Sequence, residues 1–165
     1  MKLQPGDIFL TNNPMALGRA INFVQKLNSS DNQSKYSHAG IITSEGGDTF
    51  ESLWTIRQST LLPYKNHEIL IGRNVDMTLD LYQLGWKAVK QHKGQMYPFW
   101  RLPLHLLPAT SKIGSGNWPV CSELVCKFLE ACDLVGFWKG KNPDNVADMI
   151  IRWKGWSTVF EGVLK

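Results

Sequence analysis

Tyr36-Ser37-His38-Ala39-Gly40-Ile41-Ile42 is the stretch from which the fold can be read. It is a short strand pattern carrying one imidazole. At period two, Ser37, Ala39 and Ile41 fall on one face and His38, Gly40 and Ile42 on the other. Gly40 beside His38 leaves space on that face, as a substrate channel would need. Further along, Val120-Cys121-Ser122-Glu123-Leu124-Val125 reads as the first turn of an amphipathic helix. Pro119 suits the helix start, which places Cys121 about two residues inside it, and the helix is expected to run to about Asp133. Its apolar face is Val120, Leu124, Val125, Phe128, Leu129 and Cys132. A thiol at a helix N-terminus facing a strand-borne imidazole is the core of a cysteine nucleophile site.

Working outward from His38, the strand Ser37–Thr43 is followed by Gly46-Gly47, a hairpin turn, and by a second strand, Thr49–Trp54. Glu68–Arg73 reads as another strand, and Asp7–Thr11, after the turn at Pro5-Gly6, as an earlier one. Helical spacing marks Met15–Leu27, and again Thr78–Lys93, which Gly94 closes. Pro103 and Pro108 break Trp100–Ser115 into short pieces. Asn142-Pro143-Asp144 opens a helix to about Trp153, and Thr158–Phe160 reads as a last strand. The order is strand, helix, strands, three helices, strand. An antiparallel sheet with helices on one side, an α+β fold, is the natural packing.

Composition narrows the function. The 165 residues suit a single domain, 1–165, and 43% hydrophobic with 19% charged residues describes a chain that builds a core. No run approaches 18 apolar residues, so no membrane span is expected. Met1-Lys2-Leu3-Gln4-Pro5-Gly6-Asp7 has no apolar signal core, so the expected place of synthesis is the cytoplasm, with action at a cell wall open to a phage-encoded or released protein. The three cysteines, at 121, 126 and 132, make no disulfide framework or zinc spacing, and His38, His67, His92 and His105 are scattered; no metal and no cofactor are expected. The net charge of +4 and a pI near 9.0 imply weak attraction to polyanions, and Lys87, Lys90 and Lys93 form a basic stripe that reads first as a solvated face and only second as a polyanion-docking surface. No Walker loop is present, Gly114-Ser115-Gly116-Asn117 is a turn, and no specific nucleic-acid binding is expected.

The chemistry-bearing residues each have a plain alternative. A cysteine on an apolar helix face is commonly a small core residue, and Cys126 and Cys132 fit that description. Cys126 lies about 140° round the helix from Cys121 at about 100° per residue, too far to share its pocket. Near a helix start, backbone N–H groups and the helix dipole favour a thiolate and can bind an oxyanion. His38 is either a structural strand histidine or a base. Glu51, within Thr49-Phe50-Glu51-Ser52-Leu53, is returned by the hairpin to the face of His38, where its carboxylate would orient the ring; the alternative is a solvent-facing glutamate. Of the seven tryptophans, Trp54, Trp100 and Trp118 lie near these segments, where they would stack on sugar, line an acyl groove or simply pack.

Pro5-Gly6-Asp7-Ile8, Ser37-His38-Ala39-Gly40-Ile41, Glu51, Gly94-Gln95-Met96-Tyr97-Pro98-Phe99 and Cys121-Ser122-Glu123-Leu124-Val125 occur in that order. Across residues 5–148 this resembles the circularly permuted NlpC-type papain-like cysteine hydrolases, relatives of the lecithin:retinol acyltransferase group. The resemblance implies a permuted papain-like fold with Cys121 as nucleophile, His38 as general base and Glu51 as the orienting residue. Tyr97 matches a family tyrosine that assists the oxyanion, and Trp118 joins it as a substrate-binding candidate. The expected activity is cleavage of an amide, foremost in a peptidoglycan stem peptide. Thioesterase or acyltransferase chemistry on a lipid or ester is the alternative, and a non-catalytic interaction module the second. The substrate is accordingly a peptide, a glycopeptide or an acyl lipid.

Overall fold

The computed structural model describes residues 1–12, 35–97, 119–136 and 142–165. These form an α+β fold, a six-stranded antiparallel sheet with three helices. The strands are β1 (Ile8–Thr11), β2 (His38–Ile42), β3 (Asp48–Ser52), β4 (Ile56–Thr60), β5 (Glu68–Asn74) and β6 (Trp156–Val163), in the spatial order β4-β3-β2-β1-β5-β6. The helices are α1 (Leu79–Lys90), α2 (Cys121–Ala131) and α3 (Pro143–Arg152), and a single 3₁₀ turn, Leu62–Tyr64, links β4 to β5. The expected helix Met15–Leu27 and the broken stretch Trp100–Ser115 lie outside the described residues.

Alternation along the central strands divides the core in two. Ile8, Leu10, Ala39, Ile41, Phe50 and Leu70 point to one face and pack with Val89 of α1, Leu124 and Phe128 of α2, and Val146 and Ile150 of α3. Phe9, Ile42, Ile69 and Ile71 point to the other, where Leu3, Leu61 and Tyr64 cover them. The three helices therefore share one face, as the sequence pattern implies. β2 and β3 are joined by a tight hairpin in which Gly47 has φ +86°, a left-handed conformation that favours glycine. Gly6, at φ +95°, turns the chain into β1; the next residue, Asp7, is buried and accepts from Gln4 N–H (2.9 Å) and from Arg73 of β5 (2.7 Å). That pair ties the N-terminal turn to the sheet.

Helix ends follow local chemistry. Thr78 Oγ1 accepts from Leu81 N–H (3.2 Å) at the start of α1, and Asn142 from Asn145 N–H (2.8 Å) at the start of α3, with Pro143 in its first turn. Lys87 and Lys90 of the basic stripe sit in the last turn of α1, where they complement the helix dipole, and Lys93 Nζ donates to Gln58 Oε1 (2.9 Å). α1 and α2 approach closely at Gly85, where an added Cβ would lie 2.5 Å from the Phe128 ring.

Two details depart from the sequence reading. β4 was not expected: Ile56-Arg57-Gln58-Ser59-Thr60 carries one apolar residue, which suffices for an edge strand. The second concerns α2. Val120 is extended (φ −75°, ψ 172°) and takes the N-cap position, so Cys121 is the first helical residue rather than two residues inside, and Pro119 precedes the cap.

Candidate active site

The site begins on the sheet face opposite the helices. β2 and β3 pair with Gly40 across from Glu51, which makes His38 and Glu51 diagonal neighbours on one face. Their side chains meet: His38 Nε2 and Glu51 Oε2 are 2.8 Å apart. Both residues are buried, at 2% and 0% exposure. The alternative of a solvent-facing glutamate is thereby excluded. With Nε2 engaged by the carboxylate, Nδ1 is the ring nitrogen left for another partner.

Cys121 is hydrogen-bonded to the His38 ring, and Nδ1 is the nitrogen open to it. Burial alone would lower the pKa of His38, but hydrogen bonding to Cys121, then to Glu51, and the charges of both outweigh it and raise the value to about 9. Burial would likewise raise Glu51, yet the hydrogen bond and charge of His38, with Tyr64, hold its carboxyl below the usual range. Both partners thus favour the charged imidazole, against the effect of burial.

Two members of the arrangement were not anticipated. Tyr64, in the 3₁₀ turn, donates its hydroxyl to the same Glu51 Oε2 at 2.5 Å. Its ring stacks on the His38 ring, with centroids 5.8 Å apart and planes at 27°. Burial and then the Glu51 charge push its phenol far above the ordinary value, so it stays a donor. Phe9 of β1 meets His38 edge-on, with centroids 5.8 Å apart, and leans on Tyr64 at 5.5 Å. The only sequence signal for Tyr64 is Leu61-Leu62-Pro63-Tyr64, an apolar turn just after a strand; nothing in it marks a contact with Glu51.

Phe9 also corrects the reading of Gly40. The space beside His38 is no channel, because the Phe9 ring fills it: an added Cβ would lie 2.6 Å from Phe9 Cζ and 3.2 Å from Glu51 Cβ. Gly40 is small so that this ring can pack against the strand.

α2 approaches from the other side, starting at Cys121, which is 2% exposed. Its N-cap, Val120, has no side-chain acceptor, and Glu123 reaches back to accept from Val120 N–H (3.2 Å). The β3 end is joined to this helix start through Ser52 Oγ, which donates to Pro119 O at 3.4 Å. Tyr97 is buried, and its N–H donates to Trp54 O at 2.9 Å in the β3–β4 connection. Trp54 itself is 55% exposed. Trp118 and Trp100 lie outside the described residues. Cys126 and Cys132 are buried free thiols; Cys132 Sγ donates to Leu81 O (3.0 Å), and burial pushes its pKa up.

The fold and this cluster define an α+β protein with cysteine, histidine and glutamate brought together from α2, β2 and β3. No family model and no curated protein matches the chain. Among solved structures it is similar to the crystal structure of metalloprotein yiiX from Escherichia coli O157:H7, a DUF1105 protein, at 18% identity and a TM-score of 0.65, over 99% of each chain. That likeness is one of fold. Among the described residues no three His, Cys, Asp or Glu side chains are grouped to hold a metal ion, and no helix is long and apolar enough to cross a membrane.

Proposed function

We propose that the protein is a cysteine hydrolase of the permuted papain-like kind, which cleaves an amide through a Cys121 acyl-enzyme. The observation that carries this reading is the buried His38–Glu51 pair with its second ring nitrogen left for Cys121. Glu51 accepts from Nε2–H and selects the tautomer in which Nδ1 exchanges a proton with the sulfur. Cys121 Sγ attacks the carbonyl carbon, and the backbone N–H of Cys121 at the start of α2 faces the oxygen as it gains charge. His38 then passes its proton to the leaving amine. In the second half His38 takes a proton from water, the hydroxide attacks the thioester, and the acid product leaves with the thiol restored.

The mechanism is written with the chain's own acids and bases, Cys121, His38 and Glu51. As substrate we retain a peptidoglycan stem peptide, with lipid and thioester acyl groups as the alternative class. The 2% exposure of Cys121 favours a second reading, an interaction module with an inert thiol, because a thiol so enclosed meets a substrate only after local movement.

Alkylation by iodoacetamide separates the two. An active thiol labels at Cys121 below pH 7, faster than a free thiol of pKa about 8.5, and loses this rate in His38→Ala. Labelling no faster than a free thiol, or none before denaturation, would overturn the hydrolase reading and favour the module. Turnover of muropeptides against acyl-lipid and thioester substrates would then fix the bond cleaved.

A further inference from the structure

Glu51 is enclosed at 0% exposure, yet its two oxygens are used unequally. Oε2 receives both His38 Nε2 (2.8 Å) and the Tyr64 hydroxyl (2.5 Å). Oε1 has no hydrogen-bond partner of good geometry among the described residues, and neither has Thr49 Oγ1 on the same face. Ser59 adds weaker support to the carboxyl, and a carboxylate so enclosed depends heavily on its two close donors, since bulk water is not there to replace one. Tyr64 is more than a donor. Its ring lies against the imidazole whose Nε2–H shares that oxygen, so one side chain holds both members of the pair.

We propose that Tyr64 is a positioning residue of the site: its hydroxyl keeps Glu51 an ionised acceptor, and its ring fixes the plane in which His38 presents Nδ1 to Cys121. This deepens the hydrolase reading and rests on it for its bearing on turnover, although the geometry of Tyr64, Glu51 and His38 stands without it. The 3₁₀ turn that carries Tyr64 is thereby part of the site, because Pro63 within it and the Tyr64 N–H bond to Leu61 O (3.0 Å) set where the hydroxyl points.

The test is Tyr64→Phe, which keeps the ring and removes the hydroxyl. A carboxylate that loses one of its donors becomes easier to protonate, by about one pH unit if it shares the support of two or three bonds equally. In protein with ¹⁵N-labelled histidine, the acid-side titration step sensed at His38 Nε2 should move up by about that amount, with the sheet intact by circular dichroism. Acid-side loss of Cys121 alkylation should move with it. Introduced into Glu51→Gln, where there is no carboxylate to keep ionised, Tyr64→Phe should cause no further change. In the wild-type protein, if the variant does not fold, a downfield Tyr64 hydroxyl proton close to His38 Nε2–H should be visible and should move upfield in Glu51→Gln. A His38 titration in Tyr64→Phe that superimposes on wild type would overturn the proposal. So would an equal shift in the Glu51→Gln background, or a Tyr64 hydroxyl proton indifferent to Glu51. The histidine resonances need neither substrate nor a reactive thiol, so an inert Cys121 would sink the hydrolase reading and leave this one decided on its own data.

Discussion

Gly40→Ala tests the packing that holds the imidazole. The added methyl would meet Phe9 Cζ at 2.6 Å and Glu51 Cβ at 3.2 Å, whereas carbon atoms pack at about 3.5–4.0 Å. The Phe9 ring must therefore retreat by about 1 Å, and its neighbours on this face are His38 and Tyr64. Overpacking of this kind costs about 1–3 kcal/mol. Replacing glycine with alanine in a strand also restricts the unfolded chain, which returns about 0.4–1 kcal/mol. The net expectation is a loss of about 1–2 kcal/mol, or roughly 2–8 °C in Tm at about 2–4 °C per kcal/mol for a chain of this size. Urea unfolding of the single variant, of Phe9→Leu and of the double variant measures it. Because the two positions touch, the smaller leucine should relieve the alanine, and the double variant should be more stable than the sum of the singles by about 1 kcal/mol. Cys121 alkylation in Gly40→Ala should slow, as the displaced ring disturbs His38. An alanine variant as stable as wild type, with additive costs in the cycle and a raised KM, would refute the packing account and restore a channel beside His38.

Other outcomes follow from the same geometry. Cys121→Ala and His38→Ala should each lower kcat/KM by orders of magnitude and Glu51→Gln by less, while Cys126→Ala and Cys132→Ala keep near-normal turnover; equal losses from all three cysteines would point to folding instead. The pKa of His38 is raised to about 9, so the protonated ring that serves the leaving group is present below that pH. Turnover under kcat/KM conditions should accordingly fall as pH rises through about 9, and a basic limb centred near 6.5 would contradict the charged pair. Asp7→Asn removes a buried charge from beside Arg73, which is partly exposed and reaches water. We expect a loss of about 2 kcal/mol in urea unfolding, below the range for a fully enclosed pair, and no change in Cys121 alkylation.

Much of the sheet was legible because its signals are local. Gly46-Gly47 between two alternating runs marks the β2–β3 hairpin, and the hairpin in turn returns Glu51 to the face of His38 without any long-range information. Cap chemistry likewise marked Asn142-Pro143 as a helix start. β4 was not legible, because an edge strand buries one face of one residue, Ile56, and its other side chains follow solvent rather than a pattern. Gly40 was misread for a related reason. A glycine reports that space is needed, and only the neighbouring strand decides whether an aromatic ring or a substrate takes it. Tyr64 was invisible because its contact with Glu51 depends on how a 3₁₀ turn after β4 folds back over the sheet, which no short-range periodicity encodes.

The energetics of the cluster bear on whether it is structural or functional. Enclosing a carboxylate, an imidazole and a phenol costs several kcal/mol in lost hydration before any is regained by pairing. Apolar residues of similar volume would fill the same face, beside Phe9, Ile42 and Ile71, without that cost. A purely structural version of this face has no use for a carboxylate enclosed against an imidazole. The buried charges make sense where a proton must be held and released at one defined nitrogen beside a thiol. That consideration, more than the proximity of three residue types, favours the hydrolase over the interaction module. It also yields a direct comparison. Replacing Glu51 and His38 with leucine-sized apolar residues together with Tyr64→Phe, so that no buried hydroxyl is left unpaired, should leave stability unchanged or raise it, while abolishing the reactivity of Cys121. A large loss of stability in that triple variant would return the cluster to a structural role.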